Sequence, residues 1–256
     1  MKTRIELNAD VGESFGNYAL GRPEEVVRLI NHALVACGFH AGDPSVMRQT
    51  VEWCKRYNVL LGAHPGFPDL LGFGRRYIKA TPQEVRDYVT YQVGALKNFA
   101  EAVGIKVRTG KPHGALMVWA LESEEHAKAV LDGLKTIGPD FAAVVPVFPY
   151  RETPYHELIR RSGIQLIGEI YPGMVFADKG YVVQREFKGD PEKEAEVVLH
   201  YVKTGKLTTM DGKEIEVNAE SVCIHGDVPN APEVIVAIRR ALEKEGVDIR
   251  AALEEQ

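Results

Sequence analysis

The chain has 256 residues, 45% hydrophobic and 26% charged, with 31 Lys and Arg against 36 Asp and Glu for a formal charge of −5. That balance suits one globular domain over residues 1–256 with a sizeable core and gives no compositional case for disorder. The acidic surplus and the lack of a basic cluster argue against nucleic-acid binding, and no apolar run reaches the ~18 residues a membrane span needs.

Three cysteines, Cys37, Cys54 and Cys223, are odd in number and lack CxxC spacing, which suggests neither a disulfide framework nor a zinc knuckle and fits a reducing cytoplasm. Near the start, Lys2, Arg4, Glu6 and Asp10 leave no stretch of signal-peptide character.

Arg4-Ile-Glu-Leu-Asn-Ala-Asp10 alternates and predicts a first strand ending at Asn8 and Asp10, followed by the loop Val11–Gly16. A helix over 23–33, a buried strand Ala33–Cys37 and a polar loop 38–44 come next. Asp43-Pro44 predicts a helix start, with Asp43 as its cap, and the helix runs to 57. Val59-Leu-Leu61 reads as a third strand delivering His64 to its end, within Gly62-Ala-His-Pro-Gly-Phe-Pro-Asp-Leu-Leu-Gly-Phe-Gly-Arg-Arg76, a loop rich in glycine and proline. Thr81-Pro-Gln-Glu84 is a capping box for a long helix whose Val85, Val89, Val93, Leu96, Ala100 and Val103 share one face.

Strands at Lys106–Thr109, Phe141–Val145, Ile164–Ile167 (ending near Glu169) and Ser221–Ile224 alternate with helices begun at Ser123, Thr153-Pro154 and Asp190-Pro191. A small hairpin is expected within 205–219 around Asp211-Gly212, and helices fill 232–254. Seven strands with helices between neighbours imply a parallel sheet. Polar groups come after nearly every strand, which favours an α/β fold closed as a (β/α) barrel over an open doubly wound sheet.

By strand end, those groups are Asn8, Asp10 and Glu13; His40 and Asp43; His64, Asp69, Arg75 and Arg76; Lys111 and His113; Glu169; then His225 and Asp227. His32, His126, His156 and His200 fall in segments read as helical and suit packing or surface roles. One use of the rim is a divalent metal on Asp10, His64 and His113, activating water. The other is metal-free, with a carboxylate base, a histidine proton donor and Lys111 facing an oxyanion. GxxxxGK[ST], GxGxxG and GxSxG patterns are all lacking, so a Walker nucleotide site, dinucleotide oxidoreduction and serine hydrolysis lose their usual signals.

Leu7-Asn-Ala-Asp-Val-Gly-Glu-Ser-Phe-Gly16, Ala36-Cys-Gly-Phe-His-Ala-Gly-Asp-Pro44, Gly62-Ala-His-Pro-Gly66 with Gly72-Phe-Gly-Arg-Arg76, Lys111-Pro-His-Gly-Ala-Leu116, Val175-Phe-Ala-Asp178 and Ile224-His-Gly-Asp227 occur in this order. Taken together, the set resembles the LamB/YcsF family, the A subunits of prokaryotic 5-oxoprolinase, over essentially the whole chain. The resemblance implies a seven-stranded (β/α) barrel of the glycoside hydrolase/deacetylase type. It also implies ATP-dependent opening of 5-oxoproline (pyroglutamate) to glutamate together with separate B and C subunits, with ATP and Mg held here or on a partner. A homo-oligomer is left open.

Carried over position by position, the catalytic set is Asp10 (base or ligand), His64 and His113 (acid/base pair or ligands), Lys111 (carbonyl polariser) and Asp227. The substrate-binding set is Asn8, Glu13, His40, Arg75 (for a carboxylate or phosphate), Glu169, Asp178 and His225. Three departures bear on substrate identity more than on fold. Met117-Val118 replace the usual Tyr-Asn, residues 170–175 separate Glu169 from Phe176-Ala-Asp178, and 184–189 replace an Arg-x-Pro-Gly-Ala stretch. Two other readings stand beside the first: a metal-dependent deacetylase or amidohydrolase acting alone, and a noncatalytic subunit that binds a small acid.

Overall fold

A computed structural model describes residues 2–147, 153–172, 174–176, 182–184, 189–209 and 212–253. Strands β1 (Arg4–Val11), β2 (His32–Ala36), β3 (Leu60–His64), β4 (Val107–Gly110), β5 (Ala142–Pro146) and β6 (Gln165–Ile170) come first. Two antiparallel pairs come next, β7 (Met174–Phe176) with β8 (Val182–Gln184) and β9 (Lys206–Thr208) with β10 (Glu214–Glu216), before β11 (Ser221–His225) and the short β12 (Asp248–Ile249). The parallel order β11-β6-β5-β4-β3-β2-β1 closes where β1 pairs with β11, so the sheet is a seven-stranded barrel.

Local chemistry starts the helices as expected. Asp43 accepts the amides of Ser45 and Val46 ahead of Pro44–Tyr57, Thr81 and Glu84 close a capping box on Pro82–Ala102, and Asp190 caps Pro191–Thr204. Among the described residues no helix is long and apolar enough to cross a membrane.

Two-residue alternation divides each strand between helices and lumen. On β1, Ile5, Leu7, Ala9 and Val11 join the large core under the helices, while Glu6, Asn8 and Asp10 form hydrogen bonds and ion pairs across the barrel interior. A second apolar cluster, Leu34, Ala142, Val144 and Ile167 with Leu253, fills the lower lumen. At the floor β12 pairs with β1, and the Ala252 amide donates to Glu6.

Two expectations need correction, and two elements are new. The helix expected over 23–33 stops at Leu29, and His32 opens β2 inside the barrel, because the Asn31 amide donates to Leu7 and turns the chain into the sheet. Residues Gly114–Glu122 form a helix, which the sequence hides because the segment is almost uniformly apolar and shows no periodic face. The C-terminal helix ends at Lys244 rather than near 254, with Gly246 in the left-handed region at φ 70° just beyond it. The β7–β8 pair is an addition to the expected elements. The hairpin within 205–219 forms, although Asp211 lies outside the described residues.

Gly62 shows how tightly the lumen is filled. A Cβ there would lie 2.8 Å from Leu34 Cδ2, 2.9 Å from His32 Nε2 and closer still to Thr109 Oγ1, whose hydrogen bond to His32 is 2.5 Å. Gly62→Ala is expected to destabilise the fold by about 1–3 kcal/mol, the cost of overpacking a filled core. Urea unfolding would check this, and a midpoint equal to wild type would refute it.

Candidate active site

The upper lumen is built on a buried lysine. Lys111 comes just after β4 and is 2% exposed; its ammonium lies 2.6 Å from Asp10 Oδ1 and 3.2 Å from Glu169 Oε1, and donates to Glu169 Oε2 at 3.4 Å and Cys223 Sγ at 3.3 Å. Burial opposes its charge, but Asp10, then Cys223 and Glu169, hold its pKa well above the ordinary 10.5. Burial alone would likewise raise the Asp10 carboxyl, yet His64 and Lys111 outweigh that and hold it well below 3.8. Glu169 also accepts from the Tyr171 hydroxyl and from Asn8 Nδ2 at 3.1 Å. Cys223 is no nucleophile, because burial, then Asp10, pushes its thiol well above 9.0.

Beside this lysine three imidazoles meet. His64 Nδ1 donates to the Lys111 carbonyl at 2.7 Å and His113 Nε2 to the Phe73 carbonyl at 2.8 Å. Carbonyls only accept, so these two nitrogens carry the hydrogens. The other two, His64 Nε2 and His113 Nδ1, face each other at 3.0 Å and would oppose lone pair to lone pair. The arrangement therefore calls for one proton or one cation between the rings. His40 stacks on His113 with ring centroids 3.8 Å apart, and both its nitrogens are buried without a hydrogen-bond partner among the described residues. Burial pushes the pKa values of His40 and His113 well below 6.5, and their imidazole neighbours push them further.

Glu13 completes the group: one ligand atom from each of Glu13, His40, His64 and His113 lies within 4.8 Å of the others. The metal set expected from sequence was Asp10, His64 and His113. Asp10 is instead outside this group, with Oδ1 on Lys111 and Oδ2 3.4 Å from His64 Nε2, while Glu13 and His40 are inside it. Orphaned His40 nitrogens, two converging lone pairs and a carboxylate are a donor set that fits a borderline divalent ion such as zinc. Burial, then Asp10 and Asp227, raises the Glu13 carboxyl well above 4.5.

The loop from Gly62 to Arg76 supplies part of this wall. A Cβ on Gly74 would come within 2.6 Å of His40 Cβ and 2.8 Å of His113 Cδ2, so only glycine lets the backbone lie this close. Phe73, at φ 53°, holds the carbonyl that orients His113. The two arginines separate in role: Arg76 Nε donates to buried Asp69 at 2.9 Å, a clamp within the loop, whereas the Arg75 charge reaches the mouth and partly offsets the upward shifts of Glu13 and Asp227.

His225 lies with Nδ1 3.7 Å from Asp10 and stacks on Tyr171, and burial lowers its pKa to about 4. Asp227 is raised by burial, then Asp10, and its Oδ1 has no hydrogen-bond partner among the described residues. Asp43 is a helix cap, and Asp178 lies outside the described residues. Cys223, Tyr171 and Phe73 join the site without a sequence signal that singles them out as functional. Cys223 was within reach, since it precedes His225 by two on one strand and so shares its face.

The LamB/YcsF family model matches residues 5–256. The chain belongs to the LamB/YcsF family. This LamB/YcsF chain is similar to the A subunit of 5-oxoprolinase from Pyrococcus abyssi, 43% identical over 250 residues covering 96% of each. It is also similar to the crystal structure of the lactam utilization protein from Thermus thermophilus, with a TM-score of 0.87, 41% identity, and coverage of 97% of this chain and 99% of that one. The family 4 carbohydrate esterase from Streptomyces lividans in complex with acetate has a TM-score of 0.51 at 11% identity, covering 96% of this LamB/YcsF chain and 91% of that one, which speaks for the fold alone.

Proposed function

We propose that this chain is the A subunit of an ATP-dependent 5-oxoprolinase and opens the lactam of 5-oxoproline to glutamate together with B and C subunits. The observation that carries this reading is the likeness, 43% over nearly the full length, to a protein named as the A subunit of 5-oxoprolinase. Its buried cysteines are all free, which suits a cytoplasmic setting.

Lactam opening needs a polarised carbonyl oxygen, a deprotonated water and a proton for the departing nitrogen. Lys111 serves the first need: the thiol of Cys223 is a weaker acceptor than a carboxylate, so a substrate oxygen can replace sulfur while Asp10 and Glu169 keep the ammonium aimed. Asp10, held ionised, is a poor base and orients Lys111 and His64. Glu13, with its raised pKa, suits proton transfer better, and the facing nitrogens of His64 and His113 can hold or pass a proton. A divalent ion on Glu13, His40, His64 and His113 would supply a Lewis acid at the same place. ATP with Mg would drive the step as phosphoryl donor to the lactam oxygen, with ADP leaving on transfer and inorganic phosphate leaving once water has added to that carbon and the C–N bond has broken. The nucleotide would be held on this chain or on one of the partners.

The test is glutamate release from 5-oxoproline, with and without ATP and the partner subunits, for wild type and His113→Ala. Release that needs ATP and partners and is lost in His113→Ala is expected. Hydrolysis of an amide by the isolated chain without ATP would instead mark a stand-alone amidohydrolase or deacetylase. A His113→Ala variant as active as wild type would reduce the chain to a binding subunit.

A further inference from the structure

Below the site, a column of fully buried polar groups descends through the lumen to the floor. Glu169 Oε2 accepts from Asn8 Nδ2 at 3.1 Å, Asn8 Nδ2 donates also to Ser221 Oγ at 2.7 Å, and Ser221 donates to Glu6 Oε1 at 2.6 Å. Glu6 Oε1 further accepts from His32 Nδ1 at 3.0 Å, and Oε2 accepts from the Ala252 amide at 2.6 Å. Glu6, Asn8, Ser221 and Glu169 are each at most 1% exposed, beside a lumen otherwise lined by Leu34, Ala142, Val144 and Ile167. Burying a carboxylate this deeply is costly unless every lone pair is engaged.

We propose that Glu6 and Ser221 are positioning residues that fix the orientation of the Asn8 amide and, through it, aim Glu169 at the Lys111 ammonium. The number of available hydrogens dictates the direction of each bond. Ser221 has one hydroxyl hydrogen and Glu6 takes it, so toward Asn8 the serine oxygen can only accept. Both Asn8 N–H groups are then drawn to acceptors, Ser221 and Glu169. A flipped amide would set its oxygen against the serine lone pairs and the Glu169 carboxylate. Asn8 thus holds Glu169 Oε2, the oxygen that also accepts from Lys111 at 3.4 Å, while Oε1 accepts from Tyr171 and lies 3.2 Å from the ammonium.

Reversing the direction of the serine hydroxyl should therefore undo the column. Glu6→Gln does so with little steric change. Its oxygen must stay with the Ala252 amide, which can only donate, so its NH2 faces Ser221 and sends the serine hydrogen toward Asn8. Ser221→Ala breaks the link outright, and Ser221→Thr restores the hydroxyl.

The proposal rests on the 5-oxoprolinase reading for its kinetic arm and has a second arm that does not. With partners and ATP present, Glu6→Gln and Ser221→Ala are expected to lower kcat about 10²-fold with KM within a few-fold of wild type, the effect of a small misplacement of a catalytic group. Ser221→Thr should recover to within about 10-fold of wild type. A purely structural role would lower Tm and leave the kcat of the folded protein unchanged, and that result would overturn the proposal. Independently of turnover, NMR hydrogen exchange of the Asn8 side-chain amide should be slow for both hydrogens in wild type and fast for at least one in Glu6→Gln and Ser221→Ala. Equal protection in all three overturns the column. If wild type shows no turnover while the exchange pattern holds, the function reading fails and the column stands.

Discussion

Lys111→Met is expected to cost the fold about 3–5 kcal/mol, the penalty for stranding a buried charge, and to abolish detectable turnover. The ammonium lies between Asp10 and Glu169 and pairs with both, and the methionine that replaces it fills the volume without supplying a donor. Both carboxylates are almost fully buried, so neither can turn to water for compensation. The loss should depend on pH in a definite sense. In wild type Asp10 has a folded pKa well below 3.8, so its contribution is fully present above that unfolded value and disappears as pH falls through the folded pKa. Wild type and variant should therefore differ most at neutral pH and converge in acid. Denaturant unfolding at pH 7 and below pH 4 checks both statements, and equal stability at pH 7 would refute them.

His40→Ala is expected to weaken divalent-ion binding by more than the roughly 10–100-fold that attends loss of an outer-shell partner, since it removes a direct ligand. His40 is the informative member because no hydrogen bond accounts for its burial. Its two nitrogens lack hydrogen-bond partners among the described residues, whereas His64 and His113 each have a backbone carbonyl to hold them. Leaving both polar atoms of a buried ring unsatisfied costs free energy that a bound cation would return. Calorimetric titration of metal-stripped protein with zinc, alongside His40→Ala and Asp10→Asn, separates the possibilities. Tight uptake that survives Asp10→Asn but not His40→Ala is expected. Failure of wild type to take up zinc, or uptake insensitive to His40, would leave the imidazole pair to share a proton instead.

Much of the architecture was legible in local chemistry. Asp43-Pro44, Thr81 with Glu84, and Asp190-Pro191 announce helix starts because their side chains satisfy amides within a few residues, so no distant information is needed. The rim residues were legible for a related reason: in a parallel barrel every strand points the same way, so the loops at their C-terminal ends gather at one mouth. How those residues group was not legible. Whether Asp10 or Glu13 joins the imidazoles depends on the side-chain reach of residues from several different loops, and sequence order carries no such distance. His32 and Glu6 escaped because the apolar spacing of 23–33 reads as one helix, and because a buried Glu is unexpected before its partners Ser221 and Ala252 are known to lie beside it.

The seam of the barrel sets a constraint on its assembly. β1 and β11 pair in register from Glu6 with Ser221 to Asp10 with His225, which joins the earliest strand to the last one of the ring. Contacts of such sequence separation form late and slowly, because the intervening chain must first be ordered. Until they form, β1 and β6 both present open edges, and Asp10 has neither His225 nor the thiol of Cys223 beside it. On a ribosome the nascent barrel remains an open, sticky sheet until residue 225 has emerged, so chaperone dependence should end with closure of this seam.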